Sequence, residues 1–233
     1  MIPPRVTVTR YGDAALLARA DGGDAESRWR LVQRIADRLE AAPPDGLDNL
    51  VATFDSLLAE YDPAVTGPGP IERRLREAVP DAAPPDPGRL FRIPVAYGGE
   101  HGPDLHAVAG ELGLDPAELV RLHTGADWTI RFRGAPAGAP MLDGFPLPHP
   151  VRRRRHPRTA VAPGSVALSG RQGVVYPVRS PGGWRIIGRT PLRLVDLGRR
   201  PPMPYRPGDR IRFVAVDPAD LAGLAGRPLE PVT

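Results

Sequence analysis

Cysteine and lysine are both absent from the 233 residues, and each absence removes chemistry. Without cysteine there is no disulfide, no thiolate nucleophile, no thiolate-bound zinc and no iron–sulfur cluster. Without lysine there is no Schiff base, no lysine general base and no phosphate loop ending in Lys. Any ATP chemistry therefore needs another binding mode or a partner protein. All 31 basic side chains are arginine, which together with abundant Ala, Gly and Pro reads as codon bias. The chain also lacks any apolar run of about 18 residues. Met1-Ile2-Pro3-Pro4 leads straight into strand-like sequence without a charged-then-apolar leader, so the expectation is a soluble, cytoplasmic protein with no membrane partner.

The net charge of +4 raises the question of nucleic acid. Charge placement argues against it, because Arg152-Arg153-Arg154-Arg155 is the one true cluster and no aromatic-rich strand motif or helix-turn-helix pattern accompanies it. That cluster reads as a solvated loop, or as a contact for an acidic partner surface.

Periodicity outlines an α+β protein of two domains, residues 1–82 and 88–233. Alternation through Val6 to Thr9 and again through Ala14 to Leu17 predicts a hairpin. Trp29, Leu31, Val32, Ile35, Ala36 and Leu39 sit at three- and four-residue spacings and predict a helix over about 26–41. A second hairpin, Leu50 to Phe54 and Ser56 to Tyr61, precedes a helix from about Pro70 to Ala78, and two β-β-α units make a small α/β sandwich. Pro80 to Pro87 is too rich in proline for helix or central strand and reads as the linker. Beyond it come a strand (Leu90 to Tyr97), two short helices (Asp104 to Glu111 and Pro116 to His123), a strand (Trp128 to Arg133), and then mostly turn and strand up to Gly208–Val216. A mainly antiparallel closed barrel fits this second domain, since closure removes exposed strand edges.

Between Pro157 and Leu192 the chain places two glycine turns, Pro163-Gly164 and Pro181-Gly182-Gly183, around short apolar runs with polar groups between them. This passage resembles the B subunits of 5-oxoprolinases, also described as allophanate hydrolase subunit 1-like, a family that includes sporulation kinase inhibitors. Pro157, Arg158, Val161, Gly164, Ser165 and Val166 match a first motif, with Ala162-Pro163 inverting its Pro-Ala. Gln172, Tyr176 and Pro177 match a second, and Ser180 to Pro191 match SPGGW-x-x-IGRTP at every fixed position. Tyr11 to Leu17, Tyr61-Asp62-Pro63, the segments from Ile93 to Glu100 and Gly102 to Leu105, and His123-Thr124 extend the likeness. The family's two Phe and one Tyr after Gly134 are replaced by Ala135, Ala139 and Met141. A substrate pocket lined by those rings would be wider here, each ring contributing about 150–250 Å².

The resemblance implies a cyclophilin-like barrel, which carries no presumption of prolyl isomerase activity. It also implies ATP-dependent opening of 5-oxoproline to glutamate in company with two partners, a homologous C subunit that is allophanate hydrolase subunit 2-like and a barrel-shaped A subunit, with ATP bound by or with a partner. Alternatives are a regulatory protein that inhibits a sensor histidine kinase, and a component of a urea or allophanate-type amide hydrolase.

Candidate catalytic residues are His123, Glu100 and Gln172. His123 could act as acid–base or simply cap a helix end. Glu100 lies in a loop beside Gly98-Gly99, and the amide of Gln172 both donates and accepts. Candidate substrate contacts are Arg158, Arg189, Thr190, Tyr97 and Trp184. Arginine's planar fork suits a carboxylate or phosphate, and Arg158, Gln172 and Arg189 would converge if their strands are neighbours. Thr190 and Ser180 could instead close turns, and Trp184 could fill the barrel end. Asp104 reads as a helix N-cap. The five histidines form no metal-binding spacing, so no metal site is predicted, and the nucleotide site is unassigned.

Overall fold

The structure is a computed structural model that describes residues 4–79 and 88–232. It divides into two units, Met1–Asp86 and Pro87–Thr233. The expected linker, Pro80 to Pro87, lies outside the described residues.

In the first unit, the alternating segment forms β1 (Arg5–Arg10) and pairs with β2 (Ala15–Asp21). Asp24 then caps the next helix by accepting from the Ser27 amide at 2.7 Å, and α1 (Ala25–Ala41) follows. Strands β3 (Leu47–Ala52) and β4 (Ser56–Tyr61) and helix α2 (Pro68–Glu77) complete the unit. Its sheet is antiparallel in the order β1-β2-β4-β3. Leu31, Ile35 and Leu39 of α1 and Ile71 and Leu75 of α2 share a core with Leu16, Leu57 and Ala59 of the sheet, which makes the expected α/β sandwich.

The second unit opens with β5 (Leu90–Tyr97), α3 (Leu105–Leu112), α4 (Pro116–Gly125), β6 (Asp127–Gly134) and β7 (Ala139–Asp143). Strands β8 (Arg158–Val161), β9 (Ser165–Ser169), β10 (Gln172–Val175), β11 (Ser180–Gly182), β12 (Arg185–Arg189) and β13 (Arg210–Ala215) follow, and a 3-10 turn leads into α5 (Leu221–Leu224). Seven of these strands close into a barrel in the order β10-β7-β6-β13-β5-β12-β9, while β8 and β11 form a separate two-stranded ribbon. The β5–β13 pair is parallel and the other barrel pairs are antiparallel. Buried Asp209 pins that pair, accepting from the Arg89 guanidinium at 2.6 Å and from the Arg89 and Arg206 amides at 2.9 Å each.

Strand alternation explains why the barrel wall has two apolar faces. Val166, Leu168, Val175 and Ile187 join the main core, whereas their neighbours Ala167, Val174 and Ile186 join a smaller cluster with Val161 of the ribbon. One expected turn is corrected here: Pro181-Gly182 is part of strand β11. Gly182 is needed because the Tyr176 ring lies against it, where a Cβ would collide with the phenol.

Candidate functional site

Three of the sequence motifs meet at one cleft of about 440 Å³ in the second unit. Pro163, Pro177 and the run Arg189-Thr190-Pro191-Leu192-Arg193 line it together with His101 and with Leu221, Ala222 and Ala225 of the α5 region. The loops are locked by backbone bonds. Thr190 donates its amide to the Gly164 carbonyl at 2.9 Å, and the Gly164 amide donates to Tyr176 at 2.7 Å. Gly164 has φ +79°, and a Cβ there would overlap the Thr190 carbonyl, so the turn requires glycine on both counts.

Arg189 ends β12, between Ala96 of β5 and Ser165 of β9. Its Nε donates to the Pro163 carbonyl at 3.2 Å, which fixes the guanidinium. Among the described residues, Nη1 and Nη2 have no hydrogen-bond acceptor or ion pair. That end-on pair is the one that grips a carboxylate in bidentate fashion. Arg193, nearby, is committed to Asp196 at 3.0 Å. Thr190 is buried; its Oγ1 accepts from the Leu192 amide at 3.3 Å and so closes a turn as well as lining the cleft.

Other sequence candidates lie elsewhere. Gln172 pairs with Ser169 at one end of β9 and Arg189 with Ser165 at the other, a separation of about 13 Å along the strand. Arg158 is not free for a ligand: it donates to both oxygens of Asp104, at 2.9 and 3.0 Å. The three side chains therefore do not converge. Asp104 stands at the start of α3 but its carboxylate caps nothing, because Arg158, Arg154 (3.2 Å) and the Ile186 amide (2.8 Å) occupy it. Burial raises its pKa, and these donors outweigh burial and hold the carboxyl below its usual range. Arg152 likewise binds Glu111, its amide donating at 2.8 Å, so half of the arginine run is tied to α3 and is not a purely solvated loop.

Trp184 is half-buried against the outer cluster, together with Met141, and does not fill the barrel end. Ala139 belongs to that same cluster, and none of Ala135, Ala139 and Met141 lines the cleft, so the lost rings do not widen it. Ser180 Oγ is buried without a hydrogen-bond partner, so it closes no turn. Glu100 is exposed, one residue before His101 of the cleft.

His123 proves to be a core residue. It is fully buried on α4, packed between the rings of Phe213, Trp128 and Phe145 at centroid distances of 4.4, 4.9 and 5.8 Å. Nδ1 shares a hydrogen bond with the Tyr97 hydroxyl at 2.8 Å, and Nε2 has no partner. Burial pushes its pKa from 6.5 down to about 3, so the ring is neutral and does not serve the helix dipole as a cation. Burial likewise raises the Tyr97 phenol. Both side chains are therefore taken up by the barrel interior. Among the described residues no three His, Asp or Glu side chains cluster as metal ligands.

Sequence reasoning missed His101, although it lies inside the YGGE-to-GPDL stretch, and missed Leu221, Ala222 and Ala225. Nothing in the short PADLAGLA sequence signals a cleft wall.

An α/β sandwich unit and a cyclophilin-like closed barrel carrying a loop-lined cleft define the class of protein. More particularly, the chain belongs to the family described as carboxyltransferase domain, subdomain C and D, which matches residues 6–205. It is 39% identical over 189 residues to the 5-oxoprolinase B subunit of Escherichia coli O157:H7, covering 80% of this chain and 83% of that one. The Bacillus subtilis protein of the same name is 33% identical over 230 residues, covering 93% and 95%. In three dimensions the chain resembles the crystallised protein TTHA0988 with a TM-score of 0.76 and 33% identity over 87% of this chain. It spans only 40% of that longer protein. The likeness to 5-oxoprolinase B subunits read from the motifs is thus shown. No described helix is long and apolar enough to cross a membrane.

Proposed function

We propose that this chain is the B subunit of a 5-oxoprolinase, active with its A and C partners in opening 5-oxoproline to glutamate at the expense of ATP. The observation that carries the reading is the anchored guanidinium of Arg189, which lines a small cleft built largely from the motif residues and, among the described residues, has no partner for its two terminal nitrogens. A cyclic amide acid offers a carboxylate for that fork and a compact ring for the proline and alanine walls. Thr190 and His101 add polar contacts beside it.

The chemical task is hard because amide resonance shields the lactam carbon from water. Transfer of the γ-phosphoryl group of ATP to the lactam oxygen makes that carbon electrophilic. Water then adds and the C–N bond breaks with a proton going to nitrogen, which leaves a γ-glutamyl phosphate. A second water attacks this acyl phosphate and releases phosphate and the free carboxylate. Two waters are consumed overall, yielding glutamate, ADP and phosphate. Arg189 holds the carboxylate away from the reacting carbon and so orients the ring. Among the described residues of the cleft, Arg189 is the one cation without an acidic partner, which suits a monocarboxylate better than a triphosphate. The reading therefore leaves ATP to the assembled complex.

The test is co-expression with the A and C partners and measurement of 5-oxoproline-dependent phosphate release. Stimulation by 5-oxoproline, lost in Arg189→Ala and retained in Gln172→Ala, is expected. An intact complex with no stimulation overturns the proposal.

A further inference from the structure

The cleft lining comes from two parts of the sequence. Arg189, Thr190, Pro163 and Pro177 come from the motifs, within the stretch the family matches. Leu221, Ala222 and Ala225 come after residue 205, where that match ends. The cleft lining therefore draws on the motif residues and on a segment that lies beyond the stretch matched by the family.

That segment is held firmly although α5 is only four residues long. Gly226 donates its amide to Pro191 at 3.0 Å, Arg193 to Arg227 at 2.8 Å, and Leu229 back to Arg193 at 3.1 Å. Leu229 is itself buried in the barrel core. The segment after α5 is thus stitched residue by residue onto the segment after Arg189, which holds the end of α5 beside Pro191–Arg193. Ala222 and Ala225 are nevertheless exposed, and Leu221 is partly so, and none of the three belongs to a core cluster. Their apolar surface faces the cleft without packing on the protein.

Resting on the 5-oxoprolinase reading, we infer that α5 is the specificity wall of this cleft: Leu221, Ala222 and Ala225 set the size of the ring accepted beside Arg189. Two alanines leave room for a small lactam acid, and Leu221 limits a larger one. One methylene in an apolar site discriminates by about 10- to 200-fold, so a wall of this kind is enough to separate neighbouring ring sizes.

The test uses three probes on the full chain alone, followed by amide NMR titration: 5-oxoproline, its six-membered homologue 6-oxopiperidine-2-carboxylate, and inorganic phosphate. The same probes are applied to the co-expressed complex, where KM and kcat are also read. Ala222→Leu and Ala225→Leu are expected to weaken 5-oxoproline about tenfold and the six-membered acid further, with phosphate unchanged, because phosphate needs only the guanidinium. In the complex the effect falls on KM and spares kcat. Leu221→Ala shifts preference toward the larger ring, and Arg189→Gln abolishes binding of all three. An unaltered ring preference in the wall variants overturns the inference, as does equal weakening of phosphate, or the absence of saturable binding of every probe to both chain and complex. Turnover without wall sensitivity sinks the wall alone. Wall-sensitive binding in a complex that never turns over sinks the enzymatic reading and leaves the wall standing.

Discussion

The Tyr97 hydroxyl and His123 Nδ1 lie 2.8 Å apart inside the barrel and satisfy each other away from water. The pair links the end of β5 to the last turn of α4. His123 is consequently a residue whose protonation state reports folding.

A pH dependence follows. The folded pKa of His123 is about 3, below the ordinary 6.5, so between these values the unfolded chain binds a proton that the folded chain does not. Stability from this group is complete above pH 6.5 and falls as pH drops toward 3, by up to about 1.4 kcal/mol per pH unit. Urea midpoints measured at pH 7 and pH 5 should differ in the wild type, and the difference should shrink in His123→Gln, which keeps a polar partner for Tyr97.

Asp104 is expected to be structural. Asp104→Ala strips Arg158, Arg154 and the Ile186 amide of a shared acceptor and should lower unfolding free energy by about 2–4 kcal/mol, measured by chemical denaturation. Arg158→Leu combined with Asp104→Leu should cost less than the two single changes added together, since the double variant leaves neither buried charge alone.

Arg189 should behave in the opposite way. It is exposed, and its one bond is to a carbonyl. Arg189→Lys should leave the thermal midpoint within a degree or so of wild type while raising the KM for 5-oxoproline about 10- to 100-fold, because an ammonium cannot present the same fork.

Gly164→Ala should damage both stability and site. A left-handed backbone and overlap with the Thr190 carbonyl together should cost at least about 2 kcal/mol. The relief available is movement of Thr190, so KM should rise in whatever fraction stays folded.

Restoring a family aromatic should not restore a pocket. Ala139 is fully buried in the outer cluster, so Ala139→Phe overpacks it and should destabilise by about 1–3 kcal/mol with the KM for 5-oxoproline unchanged. A changed KM would place residue 139 at the substrate after all.

Local pattern made much of this fold legible. The helical stripe of Leu31, Ile35 and Leu39 and the strand alternation at β1, β2, β4 and β5 depend on which face is buried, and periodicity reports that directly. Arg189 stands out in the sequence because its planar fork suits a carboxylate, and the structure places it in the lining of the cleft, whereas the convergence with Arg158 and Gln172 depended on strand order that local pattern does not report. Asp104 misled because an aspartate before a helix has two available jobs, and which it takes depends on Arg158, 54 positions away. His123 misled for a similar reason: a helix-end histidine looks solvated until the rings of Trp128, Phe145 and Phe213 close over it. The α5 wall was invisible because a four-residue helix has no periodicity to read.

The parallel pairing of β5 with β13 sets the order in which this barrel is able to form. Arg89 and Asp209, which pin the pair, are 120 positions apart. Until β13 arrives, the facing edges of β5 and β6 have no partner, and during synthesis a nearly complete sheet must wait with two open edges. Long-range closure of this kind is slow and leaves edges free to pair with other chains. A ribosome-bound intermediate of the second unit should therefore be sticky until residue 215 has cleared the exit tunnel, and its yield in cells should depend more on chaperone supply than on the equilibrium stability of the finished barrel.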